Sequence, residues 1–453
     1  MRRRMTAKKM RSRKTVKLNG KCGPLPMWRS VRLKDCFSYG KGLNITKADL
    51  VEDGTPVISY GQIHAKKNDG THLKGELLRY VPDEVARENP GARLKAGDIV
   101  FADTSEDLDG IGNCVINDIG DGVYAGYHTL IARAKDPRNS KYLSYLFQTD
   151  CWREQLRKRA CGIKVFSLTQ RLLSNVKVVL PPRPEQERIA AFLDEKCATV
   201  DKAIEVKRKQ LKNVGEFWAN VLQELTVRGV CKSRLVQTGN VFIPEIPEGW
   251  KLAKTLHCLD MPITDGPHTT PELWDEGVPF VSAEAVSNGN GKIDFARIRG
   301  FISEEFYEEC CKKYIPRRDD VYMVKSGATT GRVAIVDTDT RFTIWSPLAV
   351  FRAREYCILP RYLFYTIQAQ YYQEQVERNW TFGTQQNIGM RALERLKIIL
   401  PPLVTQEEIV NVLDERRTHL DDVASNLRKQ IETLEQYRKS LIHEYVTGAR
   451  RVV

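Results

Sequence analysis

The chain has 453 residues, of which 42% are apolar and 28% are charged, and this composition and length are typical of a globular protein with two domains. No apolar run approaches the roughly 20 residues of a membrane span, and none follows the basic N-terminus, so we expect a cytoplasmic protein without membrane association. The formal net charge is +14, but residues 1–21 hold ten Lys and Arg and no acid, which leaves about +4 for the rest.

Residues 1–23 are predicted to form a basic, disordered tail, because a block of like charge repels itself and buries little apolar surface. Such a tail attracts polyanions whatever their sequence. Charge alone is therefore weak evidence for a nucleic-acid partner.

Residues 24–180 are predicted to form a mixed α/β domain. Short β-type runs (PVISYGQI, GDIVFAD, HTLIARA) alternate with turn-rich loops, and KYLSYLFQTDCWREQLRKR is predicted to be a helix. Trp28, close to Pro26 at the domain entrance, is predicted to anchor the core.

A long helix is predicted over residues 181–229. Pro181-Pro182 can precede a helix but cannot lie inside one, and apolar residues then recur at steps of three and four. Gly215 lies within this segment and is expected to mark a kink. The apolar seam includes Ile189, Leu193, Ile204 and Leu211.

A second copy follows a linker at residues 230–245, with a domain at 246–400 and a long helix at 401–449. Residues 177–204 and 397–424 are identical at eleven of 28 positions, at a constant offset of 220. Trp28 corresponds to Trp250 and Asp98 to Asp320. The fold is therefore predicted to be α+β, with two tandem domains that are each followed by a long helix.

The second helix carries a leucine at every seventh position, which is typical of a coiled-coil seam. Because one helix alone cannot bury such a stripe, the two helices are predicted to pair antiparallel. The alternative is that each helix packs on its own domain. The leucines of this seam are Leu413, Leu420, Leu427, Leu434 and Leu441.

Polar, glycine-punctuated loops occur at equivalent places in both domains and are candidates for DNA contact. Amide, hydroxyl and guanidinium groups read base edges, while lysines anchor phosphates. The alternative for each loop is that these residues only close turns. The candidates are Lys41, His64, Lys66, Lys67, Thr104, Ser105 and Lys164 in the first domain, and Asp265, His268, Thr270, Lys325, Ser326, Thr329, Thr330, Arg332, Thr384, Gln385, Gln386 and Asn387 in the second.

Signatures of catalysis are missing from the sequence. There is no phosphate-binding glycine loop, no nucleophile elbow and no Asn/Asp-Pro-Pro-aromatic clamp of an adenine methyltransferase. The Cys and His residues lack metal-ligand spacing. We therefore expect a chain without enzymatic activity, metal or cofactor of its own.

With the repeat laid out, the chain resembles the specificity subunits of type I restriction-modification enzymes from about Leu25 to Val453. The motifs that carry the resemblance are LPP-x-x-x-QE at 180–187 and 400–407, each followed by I-x-x-x-LDE, together with IPEGW at 246–250 and SLIHEYVTG at 440–448. TDGPHTTPE at 264–272 is similar to part of a target-recognition domain. Residues 1–21 have no counterpart in this pattern.

The resemblance implies two target-recognition domains that read the two halves of a split, asymmetric site in double-stranded DNA. It also implies partners: two methyltransferase subunits that carry S-adenosylmethionine, and a motor-nuclease subunit. The alternatives are a specificity subunit of a related or orphan methylation system, a coiled-coil scaffold that binds proteins, and a self-sufficient methyltransferase.

Overall fold

The computed structural model describes residues 28–160, 165–382 and 385–452. The predicted tail at residues 1–23 lies outside the described residues. The chain divides into two compact units: unit 1 comprises Met1–Val206 and Gln430–Val453, and unit 2 comprises Lys207–Lys429. Each unit therefore contains one globular head and parts of both long helices.

The first head and the helix that follows it contain eleven strands and seven helices in the described residues. The strands are β1 (Arg29–Arg32), β2 (Phe37–Lys41), β3 (Thr55–Ile58), β4 (Arg79–Val81), β5 (Ile99–Ala102), β6 (Thr104–Ser105), β7 (Cys114–Ile116), β8 (Tyr124–Ala125), β9 (Thr129–Ala134), β10 (Phe166–Ser167) and β11 (Lys177–Leu180). The helices are α1 (Leu33–Cys36), α2 (Tyr60–Ile63), α3 (Asp83–Glu88), α4 (Ser140–Leu146), α5 (Asp150–Arg157), α6 (Gln170–Ser174) and α7 (Arg183–Arg228).

The remainder of the chain begins with the additional strand pair β12-β13 and then repeats most of this order. Its strands are β12 (Leu235–Gln237), β13 (Glu245–Pro247), β14 (Lys251–Lys254), β15 (Thr264–Asp265), β16 (Val278–Val281), β17 (Gly300–Ile302), β18 (Val321–Val324), β19 (Val333–Ile335), β20 (Thr343–Ile344), β21 (Leu348–Phe351), β22 (Thr381–Phe382), β23 (Gln386–Asn387) and β24 (Lys397–Leu400). Its helices are α8 (Ala283–Asn288), α9 (Glu304–Lys313), α10 (Pro360–Gln368), α11 (Gln370–Arg378), α12 (Met390–Arg395) and α13 (Leu403–Val446).

Both heads have the same sheet topology. A four-stranded antiparallel sheet has the order β2-β9-β5-β7 in the first head and β15-β21-β18-β19 in the second. A mixed three-stranded sheet has the order β4-β3-β8 or β17-β16-β20, and the first and last strands of each head pair as β1-β11 or β14-β24. The central strands β5, β18 and β21 are buried at every residue, so helices and loops cover both faces of the larger sheet.

A buried ion pair lies at equivalent places in the two heads. Asp98 accepts from the Arg133 guanidinium at 3.1 Å, and Asp320 accepts from Arg352 at 2.7 and 2.8 Å. The two carboxylates are 4% and 1% exposed. The correspondence of Asp98 and Asp320 in the sequence thus reflects a shared structural interaction.

The two long helices pair antiparallel, as predicted. In unit 1 the start of α7 contacts the end of α13, where the rings of Phe192 and Tyr445 lie 4.5 Å apart. In unit 2 the end of α7 contacts the start of α13, where the Arg417 guanidinium lies 5.1 Å from the Trp218 ring. Within unit 1, Asp201 of α7 also pairs with Arg438 of α13, so residue numbers rise along one helix as they fall along the other, which is the antiparallel order.

The end of each helix also docks on the other copy's head. In unit 1 the Tyr142 hydroxyl of the first head donates to the Val446 carbonyl at 2.8 Å, and in unit 2 the Gln223 side chain accepts from the Tyr371 N–H at 3.1 Å. The alternative in which each helix packs on its own head alone is therefore wrong. Of the seam residues, Ile189, Leu193, Ile204, Leu413, Leu427 and Leu441 are buried, and Leu211, Leu420 and Leu434 are half-buried.

Several local predictions need correction. The helical stretch of each head is broken in two, at Phe147–Thr149 in the first head and at Ala369 in the second, where the backbone turns extended at the N-cap of the next helix. Tyr39–Lys41 belongs to strand β2 rather than to a loop. Gly215 lies inside the continuous helix α7, where an added Cβ would meet nothing within 4 Å, and the kink at this position stays a prediction.

Candidate nucleic-acid interface

The loop at residues 325–332 joins β18 to β19 in the second head and contacts the segment before α12. Ser326 forms a β-bridge with Asn387, the Gly327 N–H donates to the Gln386 carbonyl at 2.9 Å, and the Ile388 N–H donates to the Lys325 carbonyl at 2.9 Å. Ser326 and the 385–387 segment thus form one continuous surface of amides and hydroxyls.

Two glycines and two threonines set the shape of this loop. Gly327 and Gly331 have φ values of 103° and 93°, a region that glycine adopts at little cost. The Thr330 hydroxyl donates to the Gly327 carbonyl at 2.7 Å, and Thr329 accepts from the Ser287 hydroxyl at 2.8 Å. Thr329, Arg332, Gln385 and Asn387 are exposed and available to a partner.

Asp265 lies behind this surface with 1% of its side chain exposed. Its carboxylate pairs with the ammonium of Lys313 and lies 3.3 Å from that of Lys325 and 3.2 Å from the His268 ring. Burial raises the pKa of Asp265, but the two lysines outweigh it and hold that pKa below its usual value. Asp265 therefore fixes Lys325 rather than reaching solvent, whereas His268 is 74% exposed.

A cavity of about 220 Å³ adjoins Asp265. Its wall includes Pro267 and Thr269 from the segment that precedes Thr270, and Glu309, Cys310 and Lys313 from α9. Thr270 itself is exposed. The segment predicted as a loop from Thr264 begins with the short strand β15, so the loop starts at Gly266.

The first head repeats the bridge between these two segments. Thr104 and Ser105 form the short strand β6 and pair with Ser167 and Phe166 of β10, while the Leu168 N–H donates to the Asp103 carbonyl at 2.7 Å. These are the contacts that Ser326, Asn387 and Lys325 make in the second head. Both copies therefore join the same two segments.

His64 is held against this strand pair. One ring nitrogen lies 2.8 Å from the Thr104 carbonyl and the other 3.0 Å from the Asn113 side chain, at the edge of an open cleft of about 480 Å³. Ser105 is 5% exposed and donates to the Asp107 carbonyl at 2.7 Å. Lys66 is exposed, and Lys67 pairs with Glu76 at 2.7 Å.

The two heads carry opposite charges at one pair of equivalent positions. Lys41 lies opposite Leu130, which pairs with Phe101, two residues before Asp103. In the second head the same ladder places Asp265 where the first has Lys41, and Lys325 where the first has Asp103. The sequence analysis did not identify Asp103 as a candidate, because no motif connected it with Lys41. Only the strand register shows that the acidic and the basic position are interchanged between the two heads.

Two candidates, Lys164 and Thr384, lie outside the described residues.

The LPP-x-x-x-QE motifs shared by the two copies have a different role from the loops. Gln186 and Gln406 each donate to a proline carbonyl of their own Pro-Pro pair at 2.9 Å, and the Tyr145 hydroxyl donates to Asp194 as the Tyr365 hydroxyl does to Asp414. These contacts hold the start of each long helix to its head.

A family model described as "Type I restriction modification DNA specificity domain" matches residues 27–214 and 262–433. The chain belongs to this family. The type I restriction enzyme MjaVIII specificity subunit of Methanocaldococcus jannaschii is 25% identical over 316 residues, which is 68% of this chain and 70% of that protein. The EcoBI specificity subunit of Escherichia coli is 20% identical and covers 63% of this chain and 61% of its own length.

A solved structure from work on complex assembly and conformational transition of the type I R-M system has the same fold. Its TM-score is 0.65 at 20% identity, over 94% of this chain and 99% of that one. The predicted membership and the tandem architecture are thus confirmed, and the chain is a DNA specificity subunit rather than a catalytic one. In the described ranges, no helix has the length and apolar character needed to cross a bilayer.

Proposed function

We propose that each head of this specificity subunit reads one half of a split, asymmetric target in double-stranded DNA. The observation that carries this proposal is the repeated bridge between β6 and β10 in the first head and between Ser326 and Asn387 in the second. In each head it gathers short polar side chains on a rigid strand pair. Rigid placement is what base readout requires, because a hydrogen bond to a base edge tolerates little displacement.

The exposed side chains next to the second bridge are the strongest candidates for base contact. Gln385 and Asn387 offer amides that pair with adenine, and Arg332 offers a guanidinium that pairs with guanine. Lys325, with 12% of its side chain exposed and its ammonium beside the buried Asp265, is proposed to support this surface from behind. In the first head the predicted candidates are Thr104 and Ser105 of the equivalent bridge and Lys41, with His64 and Lys66 as further candidates.

The antiparallel helices set the gap between the two half-sites. A displacement by one base pair shifts a half-site by about 3.4 Å and rotates it by about a tenth of a turn, so a stiff connection selects one gap length. The exposed faces of the helices are proposed to dock two methyltransferase subunits that bring S-adenosylmethionine. A motor-nuclease subunit completes the proposed complex, which acts on DNA in the cytoplasm.

Genome-wide mapping of N6-methyladenine, with and without this gene, tests the proposal. Loss of one gapped, two-part motif on deletion is the expected result, and it also gives the target sequence. An unchanged pattern contradicts an active type I system and leaves an orphan subunit or a protein scaffold. Duplex binding by the purified chain then separates these two, because phosphate contacts impose a steep dependence on salt and a scaffold has none.

A further inference from the structure

Each head pairs its first and last strands, and each of these ladders ends in two cations placed directly opposite each other. Arg32 of β1 faces Lys177 of β11, and Lys254 of β14 faces Lys397 of β24. Like charges at directly opposed positions of an antiparallel pair lie on one face and repel, which destabilises the ladder. Both copies nevertheless carry the arrangement.

In the first head the two cations line an open cleft of about 440 Å³. Arg171, the second residue of α6, lines the same cleft, together with Arg159, Thr169, Leu172 and Asn175. None of these seven lining residues is acidic. The Asp35 carboxylate accepts from the backbone N–H of Arg32 at 3.1 Å rather than from its guanidinium.

Three of the four cations that line this cleft have no acidic partner among the described residues. Arg32, Arg171 and Lys177 are exposed, and the described residues give none of these three side chains an ion pair within 4 Å. Three cations converging on a concave surface without a counter-charge form a site for an anion. In the second head Arg391 takes the place of Arg171, and Arg395 stands where the first head has Asn175.

We propose that the cleft of the first head, through Arg32, Arg171 and Lys177, binds backbone phosphates of duplex DNA, and that the corresponding cations of the second head, Lys254, Arg391 and Lys397, do the same. The site rests on the proposed function and extends it from base readout to backbone positioning. Its continuity with the readout surface favours DNA over an acidic protein. Thr169, which lines the cleft, lies two residues after Ser167 of the β6-β10 pair, a separation of at most about 7 Å.

The test measures binding of the full chain to two duplexes, one with the mapped target and one scrambled, from about 50 to about 200 mM salt. The R32Q/K177Q variant is expected to flatten the slope of log K against log salt by about 1.8, since each lost phosphate contact removes about 0.9. The affinities for the two duplexes are expected to fall by the same factor, because phosphate contacts carry no sequence information. K254Q/K397Q is expected to behave alike.

The ladders supply matched controls. Arg29 and Lys251 lie at the other ends of β1 and β14, opposite Leu180 and Leu400, so R29Q and K251Q remove the same charge outside the cleft. Neutralising Arg32 and Lys177 relieves repulsion, so the melting temperature should not fall. Arg171 belongs to α6 and lies outside the β1-β11 ladder, so the R171Q variant tests phosphate binding independently of strand pairing.

The inference would be overturned if the slope of log K for DNA binding against log salt were the same in R32Q/K177Q and R171Q as in R29Q. Unchanged DNA binding with weaker assembly onto methyltransferase subunits also overturns it, and identifies the occupant as an acidic protein surface. The wild-type chain reports the proposed function separately. If the wild type prefers its target duplex and the variants have the same salt slope as the wild type, the phosphate site alone is wrong. If the wild type shows no preference for its target, both the proposed function and this site are wrong.

Discussion

Asp201 and Arg438 lie 237 positions apart in the sequence and form an ion pair of 2.9 Å between the two long helices of unit 1. The Arg438 side chain is 13% exposed and that of Asp201 is 44% exposed. A parallel pairing with the helix starts aligned would separate these residues along the axis by about 17 residues, or about 25 Å. Their contact therefore defines the register of the antiparallel pair.

A double-mutant cycle tests this register. The single variants D201R and R438D bring like charges together and are expected to lower the melting temperature, while the double variant D201R/R438D restores part of the loss. We expect a coupling free energy of about 0.5–1 kcal/mol, because one partner is half-exposed and solvent screens it. Additive single effects would contradict the contact. E205R/R438D, which combines R438D with a charge reversal at an exposed residue of α7 instead of Asp201, serves as the control.

The repeated buried ion pair gives a comparison within one chain. Asp320 accepts from two nitrogens of Arg352, from the Arg317 N–H and from the Tyr314 hydroxyl, whereas Asp98 accepts from one guanidinium nitrogen and from the Lys95 N–H. D320N is therefore expected to cost about 3–5 kcal/mol of unfolding free energy, and D98N less. Chemical denaturation of both variants measures this, and an equal loss would contradict the difference in contacts.

The repeat made most of the fold predictable from the sequence. The offset of 220 residues between the LPP-x-x-x-QE motifs and the heptad from Leu413 to Leu441 defined the two heads and the helix pair, because these patterns are local and periodic. The first head has Lys41 and Asp103 where the second has Asp265 and Lys325, and this interchange of basic and acidic positions was not predictable from the sequence. It depends on which strands pair, and strand pairing joins residues far apart in the sequence.

The candidate interface of the second head was predicted in part for the same reason. Glycines marked the loop at 325–332, since a turn with positive φ favours glycine. Nothing in the sequence placed Ser326 against Asn387, or showed that Asp265 is buried. The cationic ladder ends were equally hidden, because Arg32 and Lys177 are ordinary surface residues until the register sets them opposite each other.

His72 lies in a charged cluster of unit 1, with its ring 2.7 Å from Asp118 and 3.6 Å from Asp194. Hydrogen bonds to Asp118 and then to Asp194 raise the pKa of His72 to about 9, against burial and the charge of Lys141. A raised folded-state pKa stabilises the fold fully below the unfolded pKa of about 6.5, and this contribution is lost as the pH rises through about 9.

The H72Q variant tests this linkage. Its melting temperature should lie below that of wild type by about 2–4 °C near pH 6, a small difference because the imidazole is half-exposed. The gap should narrow as the pH rises through about 9 and largely close near pH 10, where most of the His72 of the wild type is neutral. A gap of equal size at both pH values would show that the charge of His72 does not act, and that packing accounts for the difference.

If each head reads its own half-site, changes in one head alter one half of the methylated motif. Arg332 and Gln385 are exposed beside the Ser326–Asn387 bridge of the second head. R332A and Q385A are expected to relax the motif at one or two positions of a single half, at about 1–3 kcal/mol of discrimination per lost base contact. Methylation mapping of strains that carry each variant measures the new motif directly.

Arg317 supplies the control for this last experiment. It is exposed and precedes β18, at the end of that strand away from the 325–332 loop, so R317A removes the same charge without touching the bridge. Its motif should match that of wild type. If R332A relaxed both halves of the motif, this would indicate a general loss of DNA affinity. A base contact made by one head affects only its own half of the motif, and leaves the other half and the gap between them unchanged.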